Sequence, residues 1–172
     1  MTEKISTTVE KEEFVITRTF NASRELMWKA LTEPEHLAHW WGPKGFKMLQ
    51  SKVDLRPGGL FHYGMEGPGG FVMWGRFVYR EIVAPEKMVF VVSFSDEAGN
   101  ITRAPMSNTW PLEVLNILTL TEQDGKTTLR IEGGPINTTE EEMNTFHSNH
   151  ASMQQGFKGT YDQLEEYLST II

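Results

Sequence analysis

Cysteine is absent from this 172-residue chain. That absence excludes a disulfide scaffold, a thiolate zinc site and a cysteine nucleophile together, and it accords with a reducing compartment. A basic excess is missing too, because 16 Lys and Arg stand against 23 Asp and Glu, for a formal net charge of −7. Nucleic-acid binders carry the opposite balance or a basic stripe, so no nucleic-acid partner is expected. The longest unbroken apolar run, Met88 to Val92, falls far short of the roughly 20 residues of a membrane-spanning helix. The opening MTEKISTTVEKEEF lacks the apolar stretch of a secretory signal, and the cytoplasm is the expected location. There is no G-x-S-x-G elbow for a serine hydrolase. The glycines of VDLRPGG (53–59) come without the Lys-Ser/Thr of a phosphate-binding loop and precede a strand, so the segment reads as a turn, with Asp54 and Arg56 placed to brace it. No repeat or linker divides the chain. The expectation is one domain over residues 13–172 behind a flexible stretch at 1–12.

What is present is core material: 39% hydrophobic residues, with ten Phe, five Trp and nine Met. Phe14 to Phe20, FVITRTF, reads as a first strand. A helix follows, capped by Asn21 or Ser23, with Met27, Ala30 and Leu31 on one face. TEPE (32–35) predicts a capping box of Thr32 with Glu35 and a second short helix, with Pro34 in its first turn, ended by Gly42 and Pro43. Six strands separated by turn signals are expected at 46–54, 60–65, 71–82, 88–95, 112–121 and 127–132, an antiparallel meander. Met143, Phe146, His150, Met153, Phe157, Tyr161, Leu164 and Leu168 then fall 3 or 4 apart, the stripe of one long helix. Thr138 with Glu141, or Thr139 with Glu142, caps its start. A lone sheet and a long amphipathic helix each need to hide an apolar face, so the sheet is expected to curl around the helix.

In that order, RTFNASRELMWKALTEPEHLAHWWGP (18–43), VDLRPGG (53–59), GRFVYREIVAPEKMVF (75–90), DGKTTLRIE (124–132) and HASMQQGFKGTYDQLEEYL (150–168) resemble the START-like (SRPBCC) superfamily. Within it they are similar to the branch related to the C-terminal domain of activators of heat-shock protein 90 ATPase. The resemblance implies an α+β helix-grip fold, a curved antiparallel sheet wrapped around the C-terminal helix, with two short helices after the first strand. It also implies a cavity for a small apolar or amphipathic molecule between sheet and helix. Chaperone activation is the alternative it implies, although the eukaryotic activators carry a further N-terminal domain. An acid–base cyclase or hydratase is a third reading.

Alternation along the strands predicts an inner face. It comprises Phe61, Tyr63 and Met65, then Met73, Gly75, Phe77 and Tyr79, then Phe90, Val92 and Phe94, and Asn116, Leu118 and Leu120. Such an aromatic, Met-rich set with a few polar groups suits both an amphipathic-ligand pocket and a filled core. His150 interrupts the helical stripe beside Met153 and Phe157, as a core histidine or as a group facing the cavity. Trp40, Trp41 and Trp110 are candidates for the cavity entrance, or for core wall. Gly156 and Gly159 lie within the long helix, where close packing against the sheet is the ordinary explanation. The pairs His36/His39 and His147/His150 have i, i+3 spacing, but two ligands make no metal site and nothing places a third, such as His62, beside them. No metal, cofactor or catalytic residue is assigned. Any chemistry would be acid–base, on His150 or Tyr63.

Overall fold

The computed structural model describes residues 14–171, so the expectation for residues 1–12 falls outside it. Seven strands form one curved antiparallel sheet in the order β1-β7-β6-β5-β4-β3-β2. They are β1 (Phe14–Phe20), β2 (Lys47–Val53), β3 (Leu60–Glu66), β4 (Val72–Val83), β5 (Lys87–Ser95), β6 (Val114–Gln123) and β7 (Lys126–Pro135). β2 to β7 are the expected meander, each strand pairing with the next, and β1 closes the far edge on β7, with Phe14 opposite Gly133 and Phe20 opposite Thr127. Bulges interrupt the ladders between Met48 and Gln50 and between Tyr79 and Glu81. The second leaves Arg80 and Glu81 both exposed and returns Ile82 to the core side, which bends β4 while preserving its apolar face.

Helix α1 (Arg24–Thr32) begins as the sequence indicates, with Ser23 Oγ accepting from the Leu26 N–H. Helix α2 (Pro34–Trp40) has Pro34 in its first turn, but its N-cap is Glu33 and no side chain caps it. The expected Thr32 and Glu35 capping box does not form. Thr32 is the last residue of α1, and its hydroxyl donates to the Trp28 carbonyl at 2.7 Å. The two helices are so close that the side chain serves the end of the first rather than the start of the second.

The C-terminal stripe is carried by two helices rather than one, α3 (Glu140–Ser148) and α4 (His150–Ile171). At Asn149 the backbone N–H turns to the Phe146 carbonyl at 3.2 Å, and the side-chain amide donates to the Thr145 carbonyl at 2.8 Å. Asparagine competes for helix carbonyls in this way, and the ladder breaks there. At the start of α3 the Thr139 and Glu142 box forms, with reciprocal bonds of 3.1 Å.

The buried side of α4, formed by Thr160, Tyr161, Leu164 and Leu168, packs with Phe20, Leu129, Trp40 and the inner faces of β3 to β7 in the main core. Polar contacts lock it in place. Arg18 on β1 bonds Asp162 at 2.8 Å and Glu165 at 2.6 Å. From α4, Thr160 Oγ1 and Gln163 Nε2 both donate to the Gly42 carbonyl, at 3.0 and 2.8 Å. Among the described residues no helix is long and apolar enough to cross a membrane.

The segment between β5 and β6 straps across to α3, where Arg103 donates to Glu142 at 2.6 Å and Thr145 donates to Thr109 at 2.8 Å. Arg103, the Thr139 N–H and the Thr138 hydroxyl together hold the Glu142 carboxyl below its ordinary value of 4.5. A carboxylate lowered by folding stabilises the native state fully above its unfolded value, and that contribution is lost as pH falls toward the folded value. Glu142→Gln is therefore expected to be less stable than the wild type at about pH 6, with the gap in thermal midpoint closing toward about pH 3. A gap that does not change with pH would contradict this assignment.

Candidate functional site

Between the concave face of the sheet and α4 lies a cavity of about 350 Å³. Its sheet wall includes Tyr63 and Met65 from β3, Met73 and Phe77 from β4, Phe90, Val92 and Phe94 from β5, and Asn116 and Leu118 from β6. Met153, Gly156, Phe157, Thr160 and Tyr161 line it from α4, and Trp40, Trp41, Gly42 and Pro43 from the turn after α2. Trp110, on the strap, completes it against Phe146, at a ring separation of 5.6 Å.

Four of the residues expected at the cavity from sequence stand outside its wall. Phe61 is fully buried behind Tyr63 and Phe77, at ring distances of 4.8 and 5.1 Å. Gly75 is covered by the Tyr63 phenol, whose oxygen lies 2.4 Å from where a Cβ would stand. Tyr79 is buried, and its hydroxyl finds no partner among the described residues. His150 is displaced by the break at Asn149 and lies between Phe14 and Phe146, at 5.5 and 5.2 Å. Burial, and more weakly His147, hold its imidazole below the ordinary histidine value. Alternation correctly gives the side of the sheet, but it cannot say which inward residue a neighbour covers.

The tryptophans differ in role. Trp40 is buried core, with its indole N–H donated to the Ala30 carbonyl at 2.9 Å. Trp41 is half-buried and stands edge-on to Tyr63 and Phe77, at 5.8 and 5.4 Å. The remaining histidines are engaged elsewhere. His36 shares a 2.6 Å hydrogen bond with the Tyr167 hydroxyl, His39 stacks on the same ring at 4.8 Å, and His62 stacks on Trp74 at 5.3 Å. Among the described residues no three His, Cys, Asp or Glu side chains converge as a metal site would need.

Sequence reading missed Phe14, Met88, Ile131 and Gly133 on the wall, and Thr160 on the helix. The register contains the first four: Phe14 is opposite Gly133, Gly133 opposite Asn116, and Ile131 opposite Leu118, which is opposite Met88. Two cross-strand glycines have a common purpose. Gly75 makes room for the Tyr63 phenol, and Gly133 for the Asn116 amide, whose Oδ1 lies 2.5 Å from where a Cβ would stand. Glycine weakens a strand interior, and here close approach of a neighbouring side chain explains it. Burial pushes the Tyr63 phenol up to about 12 and raises that of Tyr161 as well, so both remain neutral at ordinary pH.

A curved antiparallel sheet gripping a C-terminal helix, with two short helices closing one end, defines the START-like helix-grip class. Residues 21–169 match the family model described as Activator of Hsp90 ATPase homolog 1-like protein, and the chain belongs to that family. The solved structure of protein Ms6760 from Mycobacterium smegmatis is similar at 25% identity and a TM-score of 0.75, covering 96% of both chains. A protein from Arthrobacter aurescens has 24% identity and a TM-score of 0.74, over 95% of this chain and 92% of its own. The AHSA1 protein from Silicibacter pomeroyi shares the fold at 16% identity and a TM-score of 0.67, over 93% and 99%. Among curated proteins none matches.

The glycines of the wall and of the helix are expected to respond oppositely to a methyl group. Gly75→Ala meets the Tyr63 phenol and should destabilise by about 1–3 kcal/mol, as overpacking does. A Cβ at Gly156 meets nothing within 4 Å, so close packing is not why glycine stands there, and Gly156→Ala should stabilise by about 0.5–1 kcal/mol through helix propensity. Chemical denaturation measures both, and a cost at Gly156 equal to that at Gly75 would contradict the geometry.

Proposed function

We propose that the chain is a single START-like domain over residues 13–172, in the cytoplasm, that holds a small apolar or amphipathic molecule between its sheet and α4. The observation that carries this reading is the unfilled space itself. Protein interiors are normally packed with few voids larger than a water molecule, yet about 350 Å³ stays open among large side chains. That volume lies within the range of small-molecule sites, which are concave, mostly apolar and dotted with a few placed polar groups. A core under selection for stability alone would close such a space, because each unfilled volume costs packing energy.

The wall supports binding rather than turnover. His150, an acid–base candidate, lies outside the lining. The family name offers a second role, association with a chaperone of the Hsp90 type, and an ATPase assay with added protein tests it directly.

Two substitutions probe the cavity from opposite sides. Val92→Phe adds bulk from the sheet, and Met153→Trp adds it from α4, both at residues of the cavity lining. Each is expected to lower uptake of apolar ligands by about tenfold or more while the thermal midpoint holds or rises, since filling a void improves packing. Native mass spectrometry and thermal-shift titration read the two quantities. Unchanged uptake in both folded variants would overturn the reading.

A further inference from the structure

The sheet ends in two edge strands, β1 and β2, and they differ in how they are protected. Natural proteins blunt an edge with bulges, lysines or a covering element, because its unpaired N–H and C=O groups otherwise pair with another chain. β2 has all three. A bulge interrupts its ladder between Met48 and Gln50, Lys47 and Lys52 stand exposed along it, and Ser51 Oγ donates to the Pro34 carbonyl of α2, which packs against it. β1 has none. Its seven residues, FVITRTF, contain neither Lys nor Pro, and they pair with β7 from Phe14 to Phe20 without a register shift. Its one charge, Arg18, is turned onto α4, where it meets Asp162 and Glu165. Among the described residues no strand lies on the outer side of β1, and Val15, Thr17 and Thr19 are exposed along it on the convex face.

We infer that β1 is where a second copy of this chain pairs, antiparallel about a two-fold axis through Thr17, so that two seven-stranded sheets become one. The segment itself names the occupant. A two-fold contact sets each residue against the one equally far beyond the axis, so it needs a self-complementary sequence, and FVITRTF is close to a palindrome about Thr17. Val15 meets Thr19 of the second copy, and Thr17 meets its own counterpart, all β-branched residues that favour cross-strand pairing. Ile16 meets the stem of Arg18, whose guanidinium remains on its own α4. Phe14 and Phe20, buried to 3% and 1%, stay in their own cores at the two ends. Charge agrees with this choice. A chain of net charge −7 repels its own copy over most of its surface, whereas β1 contains no acid and sets no like charges opposite each other. This inference is independent of the binding role proposed above.

Sedimentation equilibrium of the full chain is expected to show a monomer–dimer equilibrium in the micromolar range. Thr17→Lys changes an exposed side chain, so the fold should hold, but it sets two like charges opposite each other on the axis. It should weaken the dimer by about tenfold or more, and Leu49→Lys on the other edge should leave it unchanged. The absence of cysteine allows the register to be read directly. Facing residues of an antiparallel pair have Cα atoms about 4.5–5.5 Å apart, within disulfide reach. Thr17→Cys should therefore give a covalent dimer under mild oxidation. The two copies of position 19 would lie about 14 Å apart, so Thr19→Cys should crosslink at least about tenfold more slowly. A protein that is monomeric at every concentration would overturn the inference and leave this edge to another occupant. A dimer that Thr17→Lys does not weaken, or equal crosslinking at the two positions, would overturn it as well.

Discussion

The carbonyl of Gly42 holds the structure's closing elements at a fixed separation. It accepts from Thr160 Oγ1 at 3.0 Å and from Gln163 Nε2 at 2.8 Å, so the turn after α2 and the middle of α4 meet at one oxygen. Gln163 also reaches the Trp40 carbonyl, and His39 stacks on Tyr167 about one turn further along. Each such bond contributes only about 1 kcal/mol net, but their position matters more than their sum. They tie α4 to the end of α2, while Arg18 on β1 ties it to the sheet through Asp162 and Glu165, and the cavity lies between these ties.

That constraint explains the division of labour along α4. Its C-terminal half, with Leu164 and Leu168 buried to 0% and 2%, is packed as core. Its N-terminal half turns Met153, Gly156 and Phe157 toward open space. The helix breaks at Asn149, and α3 receives the strap through Arg103 and Thr109. Both ends of the grip combine packing with polar contacts, the main core at one and the smaller cluster of Phe14, Val114 and Phe146 at the other.

Much of this was legible in the sequence because the signals are local. β1 falls where FVITRTF places it, the strands follow the turn residues, and the capping box that forms, Thr139 with Glu142, is one of the two the sequence allows. The inward faces of β3 to β6 follow from period-two alternation, which holds as long as no bulge intervenes. What could not be read depends on neighbours distant in the chain. Nothing local distinguishes Phe61, covered, from Phe77, on the wall, or reveals that Gly133 exists for Asn116 on the next strand. The break at Asn149 was hidden for a different reason: the apolar stripe runs straight through it, and one side-chain bond to Thr145 outweighs the periodicity. Thr160 and Gln163 escaped notice because polar residues on a helix read as solvent-facing until their partner is known.

The central claim is that the space between the sheet and α4 is open and apolar rather than packed. Apolar cavities admit xenon, so diffraction from crystals held under xenon pressure tests it most directly. The account predicts a xenon site, or density for a co-purified molecule, bounded by Phe90, Asn116, Leu118 and Phe157. Side chains in mutual contact across that region, with neither xenon nor a bound molecule between them, would contradict it.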